Sequence, residues 1–313
     1  MARVVLGLAT SHSPLVSSAV EVWPRHAERD RVRADLVGPD GVRRTFDEHR
    51  ARVWPSVATE LVESVWRAKH QRCQRAIAEL ADTLHRANPG AVVIIGDDQA
   101  ELFRADGTPA LAVYWGGSIR DIALTERQRS QLPPGLREAA WAWHAETDED
   151  YPTASGLAHH LIGRACAAGF DLGQFSEQPA GRGLGHAFVF VRRRLMGPRM
   201  YPIVPVFINT FYPPNQPGPG RCYRFGRVLR QAIESWPVDI DVAVVASGGL
   251  SHFMVDEQLD RMVLDALRDR DLAAIDALPT DRLHSGSSEI RNWLAAGGAV
   301  EHLRMELLDY VPG

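Results

Sequence analysis

Val242-Ala243-Val244-Val245-Ala246-Ser247-Gly248-Gly249-Leu250-Ser251-His252 opens as an unbroken apolar run, stops on a glycine pair and then turns polar. Small and β-branched apolar residues in succession mark a strand buried on both faces. The glycine pair lets the backbone turn sharply and lets a ligand approach closely. Ser251 and His252 then stand just past the carboxyl end of the strand, the edge at which open α/β sheets bind ligands. A histidine there can act as acid, base or metal ligand near neutral pH. The alternative is a loop histidine that only caps the following helix.

Other strands end in the same way. Val4 to Ala9 runs into Thr10-Ser11-His12-Ser13-Pro14, and Ala91 to Gly96 into Asp97-Asp98-Gln99-Ala100-Glu101. Ala110 to Trp115 and Tyr201 to Asn209 read as further strands. Between them the period becomes helical. Val62, Val65, Trp66, Cys73, Ile77, Leu80 and Leu84 form one apolar stripe, which Asn88-Pro89-Gly90 stops. Residues 154–169, 221–235 and about 255–278 also read as helices, and Ser285-Gly286-Ser287-Ser288-Glu289 starts a short one containing Trp293. Serines before a glutamate resemble a capping arrangement, which is the structural alternative for Glu289. Strands alternating with helices predict one α/β domain over 1–313, a three-layer α/β/α arrangement around a mostly parallel or mixed sheet. Residues 15–60, with breaks at Trp23-Pro24 and Trp54-Pro55, and residues 116–150 stand out as divergent or inserted segments.

The remaining histidines divide by context. His26 and His49, set among arginines and acids, read as surface residues, and His70 and His85 as solvated. His159 and His160 are adjacent on a helix, so at most one points inward. His186 closes the glycine-rich Gly181-Arg182-Gly183-Leu184-Gly185-His186, a flexible loop able to reach a cleft. That loop is not a GxGxxG after a strand, so a dinucleotide site is not indicated. The tail from Glu301 to Gly313 carries no distinguishing pattern.

Composition narrows the function classes. Of 313 residues, 45% are hydrophobic and 24% charged, and the net charge is -4. These are ordinary values for a globular chain and give no reason to expect nucleic acid or an anionic membrane as partner. No stretch approaches the ~20 apolar residues of a membrane span. Cys73, Cys166 and Cys222 have no CxxC pairing, so neither zinc knuckle nor disulfide framework is indicated. With no signal peptide evident, a cytoplasmic location is expected. Lys69 is the only lysine. The arginine bias fits a GC-rich genome, and also makes arginine available for binding carboxylates.

His12 and His252 lie at strand ends that should share one sheet edge. With Glu289 they offer two nitrogen donors and a carboxylate, the description of a divalent iron or zinc site. Iron would activate dioxygen and zinc would activate water, and the pattern does not choose between them.

The order of motifs resembles the class III extradiol ring-cleavage dioxygenases, the group of protocatechuate 4,5-dioxygenase and its gallate-cleaving relatives. The likeness rests on the strand and Tyr-Pro-Pro turn from Val206 to Pro214, Arg221 to Gly226, Ile233 to Pro237, and Gly248 to His252. Thr10 to Pro14 and the Ser-Glu-x-x-x-Trp run from Ser288 to Trp293 match as well. The resemblance implies an Fe(II) enzyme that opens a catechol-type ring with dioxygen. It implies His12 and Glu289 as iron ligands, His252 as an acid/base beside the metal rather than a ligand, and His186 as another active-site histidine. It also implies a homo-oligomer or an assembly with a small second subunit.

One position departs from the family pattern. The second ligating histidine is expected after an aspartate beyond strand 91–96, where this chain has Gln99 after Asp98. An amide oxygen is a poorer donor to iron than imidazole. Three outcomes are open: Gln99 ligates weakly, Asp98 or Glu101 replaces it, or the metal is lost. The alternatives to a dioxygenase are a metal-dependent hydrolase or lyase on the same scaffold, using His12, the Asp97–Glu101 cluster and Glu289, and a catalytically reduced partner subunit.

Overall fold

A computed structural model of the chain describes residues 1–34, 36–54 and 56–312. Pro55 of the expected Trp54-Pro55 break and the terminal Gly313 lie outside the described residues. Among the described residues eight strands form two sheets: β1 (Arg3–Thr10), β2 (Ala91–Gly96), β3 (Leu111–Tyr114), β4 (Ser118–Asp121), β5 (Glu149–Pro152), β6 (Gly173–Phe175), β7 (Ile203–Ile208) and β8 (Asp241–Ser247). The main sheet has the order β1-β8-β2-β7-β3-β6, and β4 pairs antiparallel with β5 in a separate ribbon.

β1, β8, β2 and β7 run parallel, whereas β3 is antiparallel to β7 and β6 is parallel to β3. The sheet is therefore mixed, within the predicted class. Its register aligns the carboxyl ends of the four parallel strands: Thr10 pairs with Ser247, Ala246 with Ile95, and Gly96 with Phe207. Whatever follows these residues collects on one edge.

The period of two along each strand divides its side chains between two cores. Val93, Ile95, Val204, Val206, Val242 and Val244 join one core with the helices Ser155–Ala167, Pro219–Glu234, Glu257–Asp269 and Ile290–Val300. Val92, Ile94, Ala243 and Val245 join the other, against the helices Glu63–Ala87 and His186–Val191. Helices thus cover both faces, and each fully buried valine or isoleucine contributes about 1.5–3 kcal/mol relative to exposure. Helix Ile290–Val300 lies so close to Pro219–Glu234 that a Cβ at Gly226 would stand 1.8 Å from the Ala295 carbonyl oxygen. This contact fixes the height of Glu289, which immediately precedes that helix.

Several surface expectations are corrected. His26 and His49 are buried, at 5% and 6% exposure. His26 bonds through Nε2 to Ser18 Oγ at 3.1 Å and packs beneath Gly135, while His49 Nε2 meets the Leu36 carbonyl at 3.3 Å. The flanking Arg25, Glu28, Asp47, Glu48 and Arg50 are exposed, while the two rings are buried. His85, expected in solvent, bonds through Nε2 to the Met196 carbonyl at 2.9 Å. His159 is exposed while His160 bonds to Ser235 Oγ. The tail is also tied down: Asp309 pairs with Arg72, Glu301 receives Tyr223 and Arg227, and Tyr310 donates to Asp260 at 2.7 Å. The three cysteines are free. No helix of the described residues is long and apolar enough to cross a membrane.

Candidate active site

The first two strands of the edge are sewn together where they end. Gly248 N–H donates to the Thr10 carbonyl at 3.0 Å, and His12 Nδ1 lies 3.1 Å from Ser247 Oγ. Gly248 has φ +149°, and a Cβ there would stand 3.0 Å from Asn292 Nδ2 and 3.1 Å from Glu289 Cβ. Only glycine fits this turn. With Nδ1 engaged by Ser247, His12 directs Nε2 inward, 3.4 Å from Glu289 Oε2 and 3.2 Å from His186 Nε2. His12 is buried, and its carbonyl accepts from Trp143 Nε1 at 3.2 Å.

Glu289 ends a 3-10 turn, Ser285–Glu289, and its side chain makes no capping bond to the helix that follows. The capping alternative therefore does not describe it. Its carboxylate accepts from Gly249 N–H at 2.7 Å and from Gln99 Nε2 at 3.2 Å, and lies 3.5 Å from His252 Nε2. Asp97, the first residue after β2, is fully buried and accepts from Asn292 Nδ2 at 3.1 Å and from Gln99 Nε2 at 3.2 Å. Donor atoms of His12, Asp97 and Glu289 all lie within 4.8 Å of one another. Among the described residues no other His, Cys, Asp or Glu joins this group.

The neighbours in the Asp97–Glu101 cluster have other partners. Asp98 accepts from the backbone N–H groups of Leu102 at 2.8 Å and Phe103 at 3.0 Å, which organises the turn. Burial and the nearby Glu101 raise its pKa to about 6. Glu101 accepts from the backbone N–H of His186 at 2.9 Å and faces its Nδ1 at 2.8 Å. Burial opposes that charge pair, but the mutual attraction prevails: Glu101 is lowered to about 2 and His186 raised to about 10.

His252 is set by its own turn. Nδ1 lies 2.9 Å from the Leu250 carbonyl, which only accepts, so Nδ1 carries the hydrogen and Nε2 faces Glu289. Burial works against a charge on His252, but Glu289 outweighs it and raises the pKa. Ser251, which the sequence places beside it, is engaged through both N–H and Oγ by the buried Asp260, each at 2.7 Å. Ser251 is thus a brace.

The structure brings His12, Gln99, His186, His252 and Glu289 together from five separate stretches. Sequence reading left four contributors without a role: Asn292, which holds Asp97 and the Ser247 carbonyl; Ser247; Trp143; and Asp260. Asp97 stood unresolved within its polar run. The available signal was its phase, since it is the first side chain beyond the buried strand.

Two buried carboxylates side by side are costly without a cation. Burial and the proximity of Glu289 raise the pKa of Asp97. Burial resists ionisation of Glu289 too, yet His252 and His12 hold it well below the usual range. One imidazole and two carboxylates converging on one point fit a divalent metal.

The sequence model described as the catalytic LigB subunit of aromatic ring-opening dioxygenase matches residues 61–311. This range includes Asp97, Gln99, His186, His252 and Glu289, while His12 precedes it. A gallate dioxygenase of Pseudomonas putida is 37% identical over 109 residues, which cover 33% of this chain and 31% of that protein. The matched stretch thus spans about a third of either protein. A family match of this extent, over a fold whose strand ends gather the histidines and carboxylates just described, places the chain in the family of catalytic LigB subunits of aromatic ring-opening dioxygenases.

Proposed function

We propose that the chain opens the ring of a catechol-type aromatic diol, protocatechuate- or gallate-like, with dioxygen and with Fe(II) as its metal. The observation that carries this reading is the convergence of His12, Asp97 and Glu289 at the sheet edge, with His186 Nε2 beside His12 and His252 Nε2 beside Glu289. His12 and Glu289 would hold the metal, which would supply a redox-active Lewis-acid centre for the diol and dioxygen.

The chain's own residues handle protons and position. A neutral His252 presents the lone pair of Nε2 and takes a proton from the diol. His186, anchored by Glu101 through Nδ1, turns Nε2 toward His12 and returns a proton as the ring opens. Ser247 fixes which nitrogen of His12 faces inward, and the Gly249 N–H fixes one oxygen of Glu289. Assembly as a homo-oligomer or with a small second subunit accompanies this reading.

The test is oxygen uptake by protein loaded anaerobically with Fe(II), against protocatechuate, gallate and catechol. Uptake that requires both iron and a diol, with a yellow ring-opened product, is expected. No uptake across the panel overturns the proposal.

A further inference from the structure

We infer that Asp97, and not Gln99, is the third protein ligand of this centre, so that the metal sits among one imidazole and two carboxylates. This rests on the metal-dependent reading above. Among the histidines, cysteines and carboxylates of the described residues, His12, Asp97 and Glu289 form the group whose donor atoms are mutually close, and all three are buried.

Gln99 is excluded by hydrogen-bond chemistry. Its amide lies between two acceptors, Asp97 Oδ2 and Glu289 Oε1, each 3.2 Å from Nε2. An amide between two carboxylates must present its NH2, which has two hydrogens to give and no lone pair for a metal. Turning the oxygen inward would set it against both carboxylates. Gln99 is therefore a clip that holds two ligand carboxylates at a fixed separation. Asp97 is braced from its other side by Asn292, which also binds the Ser247 carbonyl, and Ser247 Oγ holds His12. The candidate ligands thus share one connected support, the arrangement that keeps metal ligands oriented. Asp98 and Glu101 are occupied elsewhere.

This donor set is harder than one with two imidazoles, and its two carboxylates cancel the charge of a divalent ion. It should accept Mn(II) readily as well as Fe(II). The experiment is a Mn(II) titration of the chelator-treated full chain, following the free-ion EPR signal, with Asp97→Asn and Gln99→Ala beside wild type. Asp97→Asn is expected to weaken binding by on the order of 100-fold or more. Gln99→Ala should weaken it by about 10-fold, at the low end for residues that only orient a ligand. Circular dichroism checks that each variant is folded. Pulsed EPR of Mn(II)-loaded wild type needs no variant and should count one coordinated imidazole nitrogen. Gln99→Ala losing the metal while Asp97→Asn keeps it, or two or more coordinated imidazoles, overturns the assignment and leaves the dioxygenase proposal standing. Wild type that binds neither Mn(II) nor Fe(II) overturns both.

Discussion

Because the Leu250 carbonyl occupies Nδ1 of His252, the neutral ring keeps its lone pair at Nε2, the atom that faces Glu289. His252 also lies outside the mutually close group of His12, Asp97 and Glu289. His252→Ala is therefore expected to lower turnover by about 10²–10⁴-fold, the range of one acid/base group, with metal stoichiometry unchanged. Loss of metal in that variant would make His252 a ligand and contradict its assigned role. The positions of His12, His186, His252 and Glu289 were legible because each sits in a motif of several residues. Asp97 was harder to read, because Asp97-Asp98-Gln99-Ala100-Glu101 offers four polar side chains and only its place directly after the buried strand sets it apart. The geometry separates them: Asp98 folds onto the turn, Glu101 pairs with His186, and Gln99 joins Asp97 to Glu289.

The turn that carries His252 is held from the far end of the chain. Asp260, on the helix Glu257–Asp269, receives Ser251 N–H, Ser251 Oγ and Tyr310 Oη, each at 2.7 Å. Its carboxyl is buried, and burial raises its pKa, so the lost donor matters. Tyr310→Phe should lower kcat with KM and metal affinity nearly unchanged, and should cost about 1 kcal/mol in denaturant unfolding. An unchanged kcat would remove Tyr310 from the support of His252. The buried strands were legible from their apolar runs, and the long helix Glu63–Ala87 from its stripe. The antiparallel direction of β3 was not, since a four-residue buried run reads the same either way. The tail contacts were invisible because single Asp and Tyr side chains find partners 237 and 50 residues away respectively, distances that local pattern does not register.

Segments 15–60 and 116–150, which interrupt the pattern of alternating strands and helices, pack on one another beside the site. Trp141 Nε1 donates to the Ser17 carbonyl, Trp143 Nε1 to that of His12, and His26 lies beneath Gly135. Burial, reinforced by Arg29, lowers the pKa of His26 from 6.5 to about 4. The unfolded chain therefore binds this proton first as pH falls. The contribution of neutral His26 is complete above about pH 6.5 and is lost between there and about pH 4. Thermal unfolding across that window should show wild-type Tm falling more steeply than that of His26→Gln, and parallel curves would contradict the assignment. At the level of architecture the sequence revealed the α/β class and the edge on which its chemistry collects. The way these two segments close against each other depends on side chains that meet across more than 100 residues and leave no local period.

The reading of this chain as a ring-opening dioxygenase is tested most directly by mass spectrometry of the product formed by the Fe(II)-loaded chain from an aromatic diol under ¹⁸O2. Both labelled atoms should appear in one ring-opened product. A product without label, or with a single labelled atom and an intact ring, would contradict it.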